Sequence, residues 1–202
     1  MGLFNFLQKK NKNIDKKYDL GCDYLFGNKI PKNEKKAHEI FMDLAVNHNH
    51  YKSQTQLGYI YSYGQGVTQN YTEGFKWFML SAEQGHDLAQ DSIGNMYMNG
   101  NGVDKNLEKA KEWYYKAAEQ GFLNAQSNLG SAYSEEQNHK EAIYWYTKAA
   151  DKGYAPAQFN LGLKYAREEG VPRNIPYGLD LIRKAAAQGL YQAQEALKIL
   201  GK

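Results

Sequence analysis

The chain has 202 residues, which is long enough to bury a sizeable hydrophobic core. Its 25 basic and 22 acidic residues nearly balance, and the net charge of +3 argues against the strongly basic surface typical of nucleic-acid-binding proteins. A single cysteine, Cys22, excludes an intramolecular disulfide framework. No run of about 18 apolar residues occurs, so the sequence predicts no membrane-spanning segment.

Residues 1–14 precede the first repeated pattern and combine a short apolar cluster with several lysines. The apolar cluster, residues 3–7, comes before the lysines, whereas a secretory signal places its positive charge first and has a longer apolar core. This order argues against a secretory signal, and we interpret residues 1–14 as a tail or as a short lid over the first hairpin. A partner-binding tail and weak contact with a membrane surface are the alternatives.

A Leu-Gly-x-x-Tyr pattern recurs along the chain, with Ile in place of Leu in the third copy. Its glycines lie at positions 21, 58, 94, 130 and 162, so the successive steps are 37, 36, 36 and 32 residues. An apolar stripe with helical spacing follows in the third repeat, at Ala110, Trp113, Tyr114 and Ala117. A period of this size predicts an all-α fold, a solenoid of about five stacked helix hairpins.

Glycine marks the turn within a hairpin and the end of its second helix. Gly100-Asn101-Gly102 interrupts the third repeat, because two glycines readily take positive φ. Gly121 occupies the position typical of a left-handed C-terminal cap. Gly94, inside the first helix, costs about 1 kcal/mol relative to alanine. We therefore expect it to admit a neighbouring helix at close range.

The repeat spacing divides one solenoid domain into segments. The first hairpin is degenerate, because it ends in Asn47-His48 rather than Gln-Gly. The fourth is shortened, because polar residues 134–140 replace the glycine loop. The predicted boundaries are 1–14 for the tail, 15–50, 51–87, 88–122, 123–154 and 155–190 for the hairpins, and 191–202 for a C-terminal capping helix. In that helix, Ala193 and Leu197 are expected to cover the apolar face of the last hairpin.

Aromatic residues occupy two neighbouring columns of the second helices. The first column holds Trp77, Trp113 and Trp145, and the second holds Phe78, Tyr114 and Tyr146. An aromatic ladder can stack a ligand, but the period places these rings in the seam between successive hairpins. We therefore expect them in the core, where replacing Trp113 by alanine would cost about 3–5 kcal/mol.

Residues with catalytic or metal-binding chemistry form no coherent group. His48 and His50 lack a third ligand nearby, and the five histidines share no repeat position. The loops 64–67 and 100–103 are rich in glycine, but a helix precedes them, whereas a phosphate-binding loop follows a strand. We predict no catalytic residue, no metal site and no cofactor, and we interpret the loops as turns.

The repeat as a whole resembles the Sel1-like repeat, a relative of the tetratricopeptide repeat. The residues that carry the resemblance are AQDSIGNMYMNGNGVDKNLEKAKEWYYKAAEQG in the third repeat, with close copies at 54–85, 125–153 and 157–189. The resemblance implies a right-handed α-α superhelix whose first helices form the concave face. It also implies a bacterial, cytoplasmic and non-catalytic protein-protein interaction module. An immunity or adaptor protein is a concrete version of this role.

Two other functions stay open. A structural scaffold could associate with itself through its groove or its open ends. A cysteine-rich branch of the same family is associated with β-lactam binding or hydrolysis, but that branch carries a cysteine pair in each repeat, and this chain has one cysteine. We expect a monomer or weak oligomer that binds a partner protein. We expect it neither to bind nucleic acid nor to contain a membrane-spanning segment.

Partner-binding residues are expected on the first helices, at four positions of each repeat. By analogy with tetratricopeptide grooves, these positions lie two residues before, two after, and five and six after the leucine of the pattern. They are Thr55, Tyr59, Ser62 and Tyr63; Asp91, Asn95, Met98 and Asn99; Ser127, Ser131, Ser134 and Glu135; and Phe159, Leu163, Ala166 and Arg167. The first hairpin contributes Tyr18, Cys22, Leu25 and Phe26. Aromatic side chains, methionine and small polar groups suit contacts with protein.

Overall fold

Each predicted hairpin consists of two α-helices, and the described part of the chain contains no β-strand, so the all-α prediction is confirmed. The computed structural model describes residues 2–199, with side chains from residue 11 onward. Its helices are α1 (Gly2–Phe26), α2 (Glu34–His48), α3 (Tyr51–Tyr63), α4 (Tyr71–Glu83), α5 (Asp87–Asn99), α6 (Leu107–Glu119), α7 (Leu123–Glu135), α8 (His139–Asp151), α9 (Ala155–Arg167), α10 (Ile175–Ala187) and α11 (Tyr191–Ile199). Helices α1, α3, α5, α7 and α9 carry the repeated pattern and are the first helices; the even-numbered helices are the second helices.

The helices group into two compact units, Met1–Asn106 with α1 to α5 and Leu107–Lys202 with α6 to α11. In the first unit, each helix packs on the next one along the chain, from α1 to α5. In the second unit, the same sequential packing runs from α6 to α11. This order follows from the repeat, because each hairpin leaves apolar surface that the next hairpin covers.

The glycine of a first helix lets an aromatic ring of the second helix reach its backbone. A Cβ placed on Gly58 would come within 2.5 Å of the Phe78 ring, and one on Gly130 within 2.8 Å of the Tyr146 ring. The two rings are buried, with exposed fractions of 2% and 3%. The interior glycine therefore lowers helix propensity but permits close contact between the paired helices.

The tryptophan column is less uniform than its period predicts. Trp145 is buried, whereas Trp77 and Trp113 are only partly buried. The buried column is the neighbouring one, which holds Phe78, Tyr114 and Tyr146. Adjacent helical residues point in directions about 100° apart, so one column can be less covered than its neighbour, although in the fourth repeat both Trp145 and Tyr146 are buried. The prediction of a core position for the whole tryptophan column therefore holds for Trp145 and is corrected for Trp77 and Trp113.

An asparagine precedes the second helices and stabilises the hairpin turn with two hydrogen bonds, one through its side chain and one through its backbone. Its side-chain oxygen accepts a hydrogen bond from the backbone N–H three residues later, in the pairs Asn33–Lys36, Asn70–Glu73, Asn138–Glu141 and Asn174–Tyr177. Its own N–H donates to the carbonyl of the pattern's tyrosine, at 2.8 Å from Asn70 to Tyr61. These bonds satisfy donors that a helix N-terminus otherwise leaves unpaired.

A glutamine near the start of a first helix joins that helix to the preceding second helix. Its side-chain amide donates to a carbonyl in the last turn, in the pairs Gln90–Ala82 (3.2 Å), Gln126–Ala118 (3.0 Å) and Gln158–Ala150 (3.3 Å). The last carbonyls of a helix have no partner within the helix. The glutamine column therefore satisfies these carbonyls while it fixes one hairpin against the next.

The second glycine of a loop contacts the N-terminus of the preceding hairpin's second helix. A Cβ on Gly66 would come within 2.7 Å of the Glu34 Cβ, and one on Gly102 within 2.5 Å of the Tyr71 backbone. In the shortened fourth repeat, Gln137 takes the positive φ of 58° in place of glycine. The glycine loops are therefore turns that also join neighbouring hairpins.

The first hairpin differs from the other repeats at both ends. Helix α1 begins at Gly2, so the backbone of residues 2–14, expected as a tail or lid, continues directly into the first helix. Met1 lies outside the described residues. The left-handed residue after α2 is Asn49, with φ of 47°, one position beyond the expected His48. Asparagine tolerates this conformation because its short side chain can hydrogen-bond locally, and its Oδ1 accepts from Gln54 at 2.8 Å.

Helix α11 covers the apolar surface of the last hairpin. Ala193 is fully buried beside Ile182 and Ala185, and Leu197 packs against the same cluster. Leu200–Lys202, the last part of the expected capping segment, lie outside the described residues. The short helix thus shields the last hairpin of the second unit from water.

Candidate interaction surface

The predicted binding positions differ in exposure in a way that repeats along the chain. The position six after the pattern's leucine is exposed in every repeat, as Phe26, Tyr63, Asn99, Glu135 and Arg167. The position two after it is half-buried in every repeat, as Cys22, Tyr59, Asn95, Ser131 and Leu163. The other two positions hold the buried Leu25, Thr55, Ser62, Asp91 and Ser127 and the partly buried Tyr18, Met98, Ser134, Phe159 and Ala166. The exposed and half-buried columns together are called the first-helix face.

In the first unit, two tyrosines of α3 stack on each other at the surface. The rings of Tyr59 and Tyr63 are 8° from parallel, with their centroids 6.1 Å apart. Tyr63 is 67% exposed. Tyr59 is held in place, because its ring meets Phe78 edge-on and its hydroxyl lies 3.0 Å from Ser92 Oγ. Burial raises the pKa of the Tyr59 hydroxyl.

Amide side chains occupy the same columns on α5. Asn95 donates to Asp91 Oδ2 at 3.2 Å, and Asn99 donates to the carbonyl of Asn95 at 2.9 Å. Asp91 is buried and thereby orients the half-buried Asn95 from below. Asn99 is exposed, so α5 presents an uncharged polar surface.

Helix α1 contributes both a fixed and an exposed aromatic ring. Tyr18 accepts a hydrogen bond from the Gln56 amide at 3.2 Å. Burial raises the pKa of Tyr18 to about 12. Burial also raises the pKa of the Cys22 thiol, which favours the unreactive protonated form. Phe26, by contrast, is 56% exposed at the end of the helix.

In the second unit, charged residues replace the exposed aromatic ring. Lys164 Nζ donates to Ser134 Oγ at 2.6 Å and to Glu169 Oε2 at 2.7 Å. Lys164 is only 6% exposed, so these two oxygens compensate a buried charge. The hydrogen bond from Lys164 lowers the pKa of Glu169. Glu135 and Arg167 lie at the surface at the ends of α7 and α9.

The remaining predicted residues of the second unit pack against their neighbours. Ser131 Oγ lies 3.0 Å from the Tyr146 hydroxyl, which ties α7 to α8. Phe159 and Leu163 of α9 are partly buried against the cluster that α10 and α11 form. They therefore stabilise the end of the second unit. Arg167 is the exposed residue among the predicted positions of α9.

The sequence of the repeats matches a known family along most of the chain. The profile described as "Sel1 repeat" matches residues 17–41, 52–86, 87–122, 123–154 and 155–190. The chain belongs to the Sel1 repeat family. Sel1 repeats are generally protein-interaction modules, and their scaffold is typically non-catalytic.

Three solved structures are similar to this fold. A Sel1 repeat protein from Oxalobacter formigenes is 30% identical, with a TM-score of 0.87 over 95% of this chain and 77% of that one, which confirms the α-α solenoid class. The protein c5321, a protective antigen present in uropathogenic Escherichia coli strains, is 32% identical with a TM-score of 0.50, and the match covers 92% of this chain and 48% of that one. The immunity protein Pa5087 from Pseudomonas aeruginosa shares the fold at 22% identity, with a TM-score of 0.60 over 90% of this chain and 68% of that one. No curated protein matches the chain.

One group of hydroxyls and a histidine in the Sel1 chain has the residue types of a nucleophilic site. Thr55 Oγ1 and Ser81 Oγ lie 2.8 Å and 3.4 Å from His86 Nδ1, and His86 Nε2 lies 3.9 Å from Asp87 Oδ1. Both hydroxyls are buried, and Ser81 donates to the carbonyl of Tyr51 at 2.8 Å. A nucleophile must reach its substrate. These buried side chains instead join α3, α4 and the start of α5.

One of the two neighbouring histidines considered as metal ligands makes a local contact. His50 Nδ1 lies 2.8 Å from Ser53 Oγ, near the start of α3. Among the described residues of this Sel1 chain, no three His, Cys, Asp or Glu side chains are grouped so that they could hold a metal ion. No helix in residues 2–199 is long and apolar enough to cross a membrane.

The second helices of the Sel1 hairpins also carry exposed aromatic residues, which sequence reasoning missed. Tyr115 and Tyr144 are 48% and 49% exposed. Both meet Trp145 edge-on, with centroid distances of 5.8 Å and 5.1 Å. Helical spacing could have revealed them, because Tyr115 and Tyr144 fall outside the apolar stripe of α6 and α8.

Proposed function

We propose that this Sel1 repeat chain is a non-catalytic module that binds a partner polypeptide through its first-helix face. The observation that carries the proposal is the Tyr59–Tyr63 stack. Tyr63 is 67% exposed and lies against a ring that the core holds in place. Tyrosine is enriched at binding hot spots because it offers a large, rigid contact area with a polar end.

The residues around this stack suggest what the partner offers. Phe26 and Asn99 occupy the repeat position of Tyr63 on α1 and α5, and all three are exposed. An uncharged surface of this kind suits a segment with apolar and amide side chains. In the second unit, Glu135 and Arg167 occupy the same position, and we propose that they select partners by charge.

The test compares two exposed tyrosines that differ in position. A Tyr63→Ala and Asn99→Ala double variant removes exposed contacts of the first-helix face, whereas Tyr191→Ala removes a 68% exposed ring on α11. We expect the double variant to weaken capture of the partner from a lysate of the source organism at least about tenfold, a change of roughly 1.4 kcal/mol. Wild type and Tyr191→Ala should capture it equally.

Circular dichroism serves as the folding control for this comparison. All three proteins should show the same helix content, because neither exposed tyrosine supports the core. Equal capture by the double variant and the wild type would reject the first-helix face as the binding surface. Light scattering of the wild type distinguishes this function from that of a self-associating scaffold.

A narrower proposal is the role of an immunity or adaptor protein in a bacterial cytoplasm. Its support is compatibility of fold, since proteins from Pseudomonas aeruginosa described as immunity proteins share this architecture. An immunity protein would restore growth to cells that produce a toxic partner encoded by a neighbouring gene. The Tyr63→Ala and Asn99→Ala double variant should not restore growth. Full protection by that variant would contradict the narrower proposal.

A further inference from the structure

In two repeats, a pair of glutamines joins the end of the second helix to the start of the first helix of the same hairpin. In the second repeat, Gln84 Nε2 donates to Gln54 Oε1 at 2.6 Å. In the fifth repeat, Gln188 Nε2 donates to Gln158 Oε1 at 2.9 Å. The donor lies directly before the glycine that ends the second helix, and the acceptor lies near the start of the first helix. The pair thereby satisfies a buried amide oxygen.

The fourth repeat lacks this pair. Gln126 occupies the acceptor position and is 4% exposed, and its Nε2 donates to the carbonyl of Ala118 at 3.0 Å. The donor position holds Lys152, directly before Gly153. Gln126 Oε1 is buried without a hydrogen-bond partner within the described residues. A buried acceptor of this kind is uncommon in folded proteins and calls for a physical explanation.

A cleft opens beside this acceptor in the second unit. Its volume is about 230 Å³, and it is lined by Ala118, Glu119, Gly121, Gln126, Lys148 and Lys152. Gly121 has no side chain to fill the cleft, and a Cβ there would stand 3.7 Å from Lys152 Nζ. Lys148 Nζ lies 3.9 Å from Glu119 Oε1, so one carboxylate partly offsets two ammonium groups. The cleft therefore combines net positive charge with an acceptor that lacks a donor.

We propose that this cleft binds a carboxylate that stands beside an N–H donor. An acidic residue within a peptide has this chemistry, and so does the C-terminal residue of a peptide. The carboxylate pairs with the ammonium groups of Lys148 and Lys152, and the N–H donates to Gln126 Oε1. The volume admits about one residue, since sites for larger ligands begin at roughly 300 Å³. The site is separate from the first-helix face and goes beyond the proposed function.

The test titrates the full chain with three small probes under NMR observation. N-acetylglycine carries a terminal carboxylate and an N–H, acetyl-Ala-Asp-Ala-amide carries an internal acidic side chain, and N-acetylglycinamide lacks the carboxylate. We expect saturable shifts of the Gln126 side-chain amide and the Lys152 ε-carbon with a carboxylate probe. Binding of the uncharged amide should be at least about tenfold weaker, in line with a charged hydrogen bond.

The pattern of responses distinguishes the two sources of the carboxylate. A response to N-acetylglycine alone assigns a peptide C-terminus, and a response to the aspartate peptide alone assigns an internal acidic residue. A response to both supports the shared chemistry. The proposal is overturned if neither carboxylate probe produces saturable shifts, or if N-acetylglycinamide binds as tightly as they do.

A substitution that restores the repeat provides the second measurement. Lys152→Gln reproduces the donor of the second and fifth repeats, so the new amide should donate to Gln126 and close the cleft. We expect probe binding to fall at least about tenfold, with an unchanged or higher thermal midpoint. Lys140→Gln removes the same charge at the exposed start of α8 and should bind like wild type. Undiminished binding by folded Lys152→Gln would overturn the proposal.

Discussion

The Phe78 ring lies against the backbone of Gly58, where a Cβ would come within 2.5 Å of its atoms. Tyr146 has the same relationship to Gly130, at 2.8 Å. A glycine in a helix interior costs about 1 kcal/mol relative to alanine, and here it lets the aromatic ring reach the helix backbone. The glycine of the first helix and the ring of the second helix therefore form one packing unit that the repeats reuse.

Gly58→Ala should destabilise the protein although alanine favours helix. The added methyl group forces Phe78 out of its position, and overpacking of this kind costs about 1–3 kcal/mol. The measurement is the urea midpoint of unfolding. In a Phe78→Leu background, which frees the space, Gly58→Ala should cost much less, so the two changes should be non-additive. Equal cost in both backgrounds would contradict the contact.

The asparagine before a second helix acts as an N-cap in the four pairs given above, and Asn70 can test this role. Its Oδ1 accepts a hydrogen bond from the Glu73 N–H at 3.0 Å. Asn70→Ala should lower the free energy of unfolding by about 0.5–2 kcal/mol, because this donor then loses its partner. Asn70→Asp is the matched control, and its free energy of unfolding should lie within about 0.3 kcal/mol of the wild-type value, since aspartate caps a helix about as well as asparagine. Urea unfolding of the three proteins makes the comparison, and an unaffected Asn70→Ala would exclude the cap as a stabilising element.

Trp145 and Trp113 occupy the same repeat position, but Trp145 is buried and Trp113 is only half-buried. Trp145 is 2% exposed, so Trp145→Ala should cost about 3–5 kcal/mol. Trp113 is partly buried, with Lys116 Nζ 3.6 Å from its ring centroid. Trp113→Ala should therefore cost less, about 1–2 kcal/mol. Denaturant midpoints that fall equally in both variants would show that exposure does not govern this column.

Acidification should weaken the first unit through its histidines. Burial lowers the pKa of His38, His50 and His86. The unfolded chain then binds protons at higher pH than the folded chain. The resulting stabilisation is present above about pH 6.5 and is lost as pH falls through the lowered pKa values. The urea midpoint should therefore be lower near pH 5.5 than near pH 7.5, before most carboxylates titrate.

An NMR titration of the His86 ring gives the direct measurement for this pH effect. We expect its pKa to lie below the ordinary value of about 6.5 in the folded chain and to return to it in urea. Asp87, with Oδ1 3.9 Å from His86 Nε2, opposes the shift but is the smaller influence. A folded-state pKa at or above the ordinary value would show that the carboxylate outweighs burial.

The interaction surface was predictable from the sequence only as a set of columns. Helical spacing placed Tyr59 and Tyr63 on the first helix, away from the leucine that faces the core. The same spacing did not separate Tyr63, which is 67% exposed, from Thr55, which is 1% exposed. Exposure depends on whether the next helix covers a position, and a single helix carries no information about its neighbour. The sequence did not predict the cleft beside Gln126, because the cleft depends on a missing hydrogen bond. Lys152 stands where the second and fifth repeats have a glutamine donor.

The sequence by itself determined the period, the helices and the family, because the hydrophobic spacing is local and repeats five times, and glycine turns recur in most of the repeats. The recurring asparagine before the second helix was also local and could have been found in the same way. Only the tertiary structure decided which aromatic column is buried, which residue takes the left-handed turn after α2, and which predicted side chains stay exposed. These outcomes depend on contacts between helices that are distant in sequence, and small differences in packing direction decide them.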